Sequence, residues 1–141
     1  MQGKKHFSEK LFLSFQLTDR VPVDNFYRRL RSQLDLNWLY KATAKYYGVE
    51  GQQSIDPIVF FKLILIGYLE NLNSDRRIID HSRMRLDILF FLGYDLDEEL
   101  PWHSTISRTR QLYGEEVFKE LFSQVLGLCV RKGMLSGKRQ A

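Results

Sequence analysis

Apolar residues recur along this chain every three to four positions, and no stretch shows the sustained alternation that a half-buried strand requires. From Asn25 onward Phe26, Tyr27, Leu30 and Leu34 fall on one side and Arg28, Arg29 and Arg31 largely on the other. That spacing predicts an amphipathic helix with Asp24 as its cap. Trp38, Leu39, Ala42 and Tyr46 predict a second helix over 37–47, ended by Gly48. Asp56-Pro57 is a strong helix start: the carboxylate accepts free backbone N–H groups and proline suits the first helical position. The run 58–69 is apolar on nearly every side, so it is expected to be a central helix packed on several neighbours. Ser74-Asp75 opens a further helix through Ile78, Ile79 and Ser82, and 86–92 packs beneath it before Gly93. The last long helix, 115–132, has acids in its first turn, Arg131 and Lys132 in its last, and Gly133 beyond.

These elements predict an all-α fold, a compact multi-helix domain over residues 21–133 with a helix-turn-helix-like element. Residues 1–20 read as an N-terminal arm, with 1–18 ambiguous between strand and helix, and 134–141 as the start of a linker. At 141 residues one hydrophobic core is the default, and 44% hydrophobic with 13% aromatic content excludes a disordered chain. The net charge of +4 permits a nucleic-acid partner without requiring one. Residues 1–10 lack the apolar stretch of a secretory signal, and 58–69 contains Lys62 and is too short to span a bilayer, so no membrane partner is expected. The lone Cys129 sits in an apolar run and reads as a small core residue, which suits a reducing cytoplasm.

The segment 101–112 departs from its surroundings. Pro101 and the His103-Ser104-Thr105 hydroxyl groups suggest a capped helix start, and Ile106 and Leu112 form a sparse apolar side. Ser104, Thr105, Ser107, Arg108, Arg110 and Gln111 are polar, and these residue types bind phosphates through hydroxyl and guanidinium groups and read base edges through forked donors. Such a helix fits a recognition helix in the major groove; composition alone fits as well a solvated helix whose arginines pair with Glu98, Glu99 and Glu115. Arg28, Arg29 and Arg31, and Arg76, Arg77, Arg83 and Arg85, can neutralise phosphates beside it or form ordinary solvated faces. Asp95, Asp97, Glu98 and Glu99 lack the glycine and spacing of a calcium loop and read as a solvated loop. His81 and His103 are too isolated to propose as metal ligands, and no nucleophile triad or phosphate loop is present. The pairs Phe60-Phe61, Phe90-Phe91 and Tyr46-Tyr47 read as core.

Several motifs occur in order: Val21-Pro22 and a basic helix, Pro57 followed by Gly67-Tyr68-Leu69, Ser74-Asp75-Arg76-Arg77-Ile78, Phe91-Leu92-Gly93, and His103-Ser104-Thr105-Ile106-Ser107-Arg108 followed by Arg110. Together they make 21–141 resemble the N-terminal domain of IS5/IS1182-type bacterial insertion-sequence transposases. Where that family usually has an acidic residue before His-Ser-Thr, this chain has Trp102, an indole able either to tighten packing or to face DNA. The resemblance implies binding to double-stranded DNA at the element's terminal inverted repeats during transposition. Ser104, Thr105, Ser107, Arg108, Arg110 and Gln111 would contact it, with Arg76 and Arg77 on phosphates. It implies no cofactor in this chain. A divalent metal, magnesium, is implied only for a catalytic domain that begins after 137–141, so the chain itself is expected not to be an enzyme. A second expectation is an interaction module that forms a homodimer or pairs with full-length transposase, motivated by the apolar load of 58–69 and 115–132.

Overall fold

The computed structural model describes residues 1–47 and 54–135. Among these there is no strand, and the chain is all-helical. The elements are α1 (Leu17–Arg20), α2 (Phe26–Gln33), α3 (Trp38–Thr43), α4 (Pro57–Leu69), α5 (Asp75–Arg83), α6 (Leu86–Leu92), α7 (His103–Tyr113) and α8 (Glu115–Arg131), with one turn of 3-10 helix at Ala44–Tyr46. The expected end of the second helix at Gly48, and linker residues 136–141, lie outside the described residues.

Local chemistry sets most boundaries as expected. Asp56 accepts from the Ile58 amide at 2.7 Å with Pro57 behind it, and Ser74 accepts from the Arg77 amide at 3.2 Å. Gly93 closes α6 in the left-handed region, at φ 86°. Two expectations are corrected. Asn25, not Asp24, caps α2, because only the residue immediately before the first turn can reach the Tyr27 and Arg28 amides, at 2.9 and 3.1 Å. The predicted 37–47 helix divides at Thr43, with φ −106° and ψ −6°, beyond which the last turn tightens into the 3-10 form.

α4 is the central helix. It packs against α3, α5, α6 and α8, and Phe60, Phe61, Leu63, Leu65 and Ile66 on it are fully buried. A row of rings extends from it: Phe61 stacks on Tyr113 of α7 and on Phe118 of α8 at centroid distances of 5.7 and 6.1 Å, and Phe118 stacks on Phe122. The Tyr47 and Tyr113 hydroxyls hydrogen-bond each other at the edge of this row. Cys129 is fully buried, and burial pushes its thiol up to about 11.

Part of the expected arm belongs to the core. Residues 1–16 carry no helix or strand, but Leu17 and Val21 are buried against Leu89 and Phe90. Two of the three arginines of α2 are used here: Arg28 donates to the carbonyls of Thr18 and Val21 at 2.8 and 2.6 Å, and Arg31 donates to that of Phe90 at 3.1 Å with its guanidinium over the Phe90 ring, while Arg29 is exposed. Among the described residues, no helix is long and apolar enough to cross a membrane.

Candidate nucleic-acid interface

α7 is held between α5 and α8. Its inward face is Ile106, Thr109 and Tyr113, three to four residues apart. Leu112, expected to join that face, is instead 46% exposed, since it lies about 100° around the helix from Tyr113. The helix begins without a hydroxyl cap. Trp102 occupies the cap position and makes no capping bond, while Ser104 and Thr105 lie inside the first turn, too far along to satisfy its amides.

The polar residues of α7 divide into two sets. Ser107 and Arg110 turn toward α5: the Ser107 hydroxyl donates to Asp75 Oδ2 at 2.7 Å, and the Arg110 guanidinium donates to Asp75 Oδ1 while lying 4.9 Å from the Phe118 ring centre. This half-buried, charge-assisted pair fixes the rotation of α7 about its axis. Ser104, Arg108 and Gln111 then share the outward face, at spacings of four and three residues, and all three are exposed. Thr105 is half-buried and accepts from Arg108 Nη2 at 3.3 Å, which orients the guanidinium along the outer face. None of the acids suggested by proximity in sequence neutralises this helix: Glu98 accepts from the Asp95 amide, Glu115 pairs with Lys119, and the partner of Arg110 is Asp75.

The flanking arginines divide in the same way. Arg76 and Arg77, in the first turn of α5, are exposed, with Arg76 3.3 Å from His103 Nε2 at the start of α7; Arg83 is also exposed. Arg85 is drawn into a network that no spacing or periodicity in the chain signals. It forms two hydrogen bonds with Asp87, at 2.9 and 2.8 Å, and reaches Glu70 at 3.2 Å. Glu70 also accepts from Tyr27 at 2.7 Å and meets His81 at 3.0 Å, and Asn25 donates to Asp87 at 3.0 Å. Burial alone would push the Glu70 and Asp87 carboxyls up, but these donors hold both below their ordinary values. The Tyr27 hydroxyl, buried and bonded to a carboxylate, is raised far above the usual phenol range. The network joins α2, α5 and α6 to the end of α4, so Arg85 serves the fold.

Trp102 is 75% exposed and lines a surface hollow whose charged residues are of both signs, Arg76 and Arg83 with Asp80, Glu98 and Glu99, and whose apolar residues include Ile79, Leu89 and Leu100. Of its two expected roles, tightening the packing of α7 is excluded by that exposure. Among the described residues no group of three His, Cys, Asp or Glu side chains is placed to hold a metal ion.

An all-helical domain that presents one polar helix face edged by arginines is a form met in DNA-handling proteins. The sequence profile of the transposase domain family DUF772 matches residues 15–112, from just before α1 to the last turn of α7. The chain therefore belongs to that transposase domain family. No curated protein and no solved structure matches it.

Proposed function

We propose that this chain is the DNA-reading part of a transposase, recognising the terminal inverted repeats of an insertion sequence. In this reading α5, α6 and α7 form the helix-turn-helix-like element and α7 enters the major groove. The observation that carries it is the outward face of α7, where Ser104, Arg108 and Gln111 stand exposed while Ser107 and Arg110 are committed to Asp75. Arg and Gln are the side chains that fork onto guanine and adenine edges, and Ser104 and Thr105 suit phosphate oxygens. In this reading Arg76, which meets His103 at the start of α7, and Arg77, exposed beside it in the first turn of α5, neutralise phosphates, and Trp102 adds an exposed ring. Ser107 and Arg110 act as positioning residues. Strand cleavage and joining, with their divalent metal, belong to a separate catalytic domain in this reading.

Arg108→Ala and Gln111→Ala test the assignment by competition between a duplex carrying the repeat and a scrambled one. Each is expected to reduce the preference for the repeat about 5- to 100-fold, the range of one lost base-edge contact, with no change in melting temperature. Unaltered preference in both variants would remove α7 from the interface.

A further inference from the structure

The outer face of α8 has no partner within the described chain, and its chemistry is self-complementary. Glu120, Ser123, Gln124, Gly127, Leu128 and Arg131 recur every three to four residues and line one open groove of about 750 Å³, walled on one side by Trp38. Glu120 and Arg131 are exposed, and among the described residues neither forms an ion pair.

Gly127 is the second observation. Glycine weakens a helix interior, so its presence midway along α8 calls for a packing reason. Gly67 in α4 has one inside the fold: a Cβ there would come within 2.6 Å of the Ile78 side chain. At Gly127 a Cβ would meet only the mobile end of Arg131, at 3.5 Å, an ordinary contact. Nothing among the described residues requires a residue without a side chain at this position. The close approach of another helix does, because small residues at a crossing let two backbones come near the lower end of the usual 8–10 Å separation.

We propose that this face pairs with the same face of a second copy, α8 lying antiparallel to α8 about a two-fold axis between Val125 and Leu126. Antiparallel pairing in this register sets Glu120 against Arg131 of the second copy, Ser123 against its Leu128, and Gln124 against its Gly127. Each pairing occurs twice by symmetry, as an isologous interface requires. The two charges stand eleven residues apart on a helix of about 1.5 Å rise per residue, and the reversed partner repeats the spacing, so both ion pairs close together. Leu128 then fills the space left by Ser123, and Gln124 lies over the bare backbone of Gly127. The outward side chains of α7 take no part, so this pairing does not depend on DNA recognition. A dimer would present two copies of α7 to paired half-sites.

The test uses the full chain in sedimentation equilibrium over a concentration series, with Glu120→Arg, Arg131→Glu and an equimolar mixture of the two. The wild-type chain is expected to associate reversibly from 16.8 kDa to twice that mass. Each charge reversal places like charges at both ends of the interface and is expected to abolish the dimer. The mixture restores both attractive pairs and is expected to regain it as a heterodimer. Because both side chains are exposed, circular dichroism and the melting temperature, read at dilutions where every chain is monomeric, should be unchanged in every case. A wild-type chain that stays monomeric throughout, variants that associate as the wild type does, or a mixture that remains monomeric would each overturn the pairing.

Discussion

The Ser107 hydroxyl donates to Asp75 Oδ2 at 2.7 Å, tying the middle of α7 to the first turn of α5. Arg110, one turn further along α7, binds the other oxygen of the same carboxylate. Two residue types that in sequence suit DNA contact are thereby committed to setting the angle at which α7 presents its neighbours.

This separates stability from binding. Asp75→Ala leaves the Arg110 guanidinium half-buried beside Phe118 without its carboxylate and should cost about 1–3 kcal/mol, read by urea unfolding. Arg108→Ala removes an exposed side chain and should leave the unfolding midpoint within about 0.5 kcal/mol of wild type. Equal destabilisation by the two would show that Asp75 does not anchor α7.

Gly114 alone joins α7 to α8, with φ 82° and ψ 160°, a conformation reserved almost wholly for glycine. The space a Cβ would occupy is empty, so Gly114→Ala tests backbone strain by itself. The expected loss is about 1–3 kcal/mol with an unchanged helical spectrum, measured by denaturation followed by circular dichroism.

Much of this was legible in the sequence, and what was missed has particular causes. Asp56-Pro57, Ser74-Asp75 and Gly93 carry local chemistry that acts within four residues, so the helix boundaries they set could be read directly. The all-apolar run of α4 likewise announced its central position. The polar character of α7 was visible, but not which of its residues face Asp75, because that depends on the packing of α5 thirty residues earlier. The Tyr27, Glu70, His81, Arg85 and Asp87 network joins residues up to 60 positions apart, and no periodic or spacing rule links them. Arg28 and Arg31 share the basic face of α2 with Arg29 in sequence; their carbonyl partners lie on segments that carry no periodic pattern or that read as core.

Burial, aided by the nearby Arg31 charge, lowers Lys62 from 10.5 to about 8, where its ammonium donates to the Phe91 carbonyl at 2.7 Å. Its pKa is thus lower folded than unfolded. Between about 8 and 10.5 the unfolded chain binds the extra proton at Lys62, so the contribution of Lys62 to stability rises with pH across that window. Cys129, raised from 9.0 to about 11, acts oppositely from about pH 9, and Tyr27, Tyr47, Tyr94 and Tyr113, also raised on folding, do so above about pH 10, because the unfolded chain ionises first. Thermal stability should therefore rise from about pH 8 to a maximum at about pH 9, and Lys62→Met should flatten the rising side. A rise unaffected by Lys62→Met would place its source elsewhere.

Fluorescence anisotropy of the chain against a terminal-repeat duplex and a scrambled duplex, each at two salt concentrations, tests the central claim most directly. A DNA-reading domain predicts tighter binding to the repeat, with affinity for both duplexes falling as salt rises, because phosphate contacts release counterions. Equal and weak binding to the two duplexes would contradict it, and would leave the α8 face as the surface through which this domain acts.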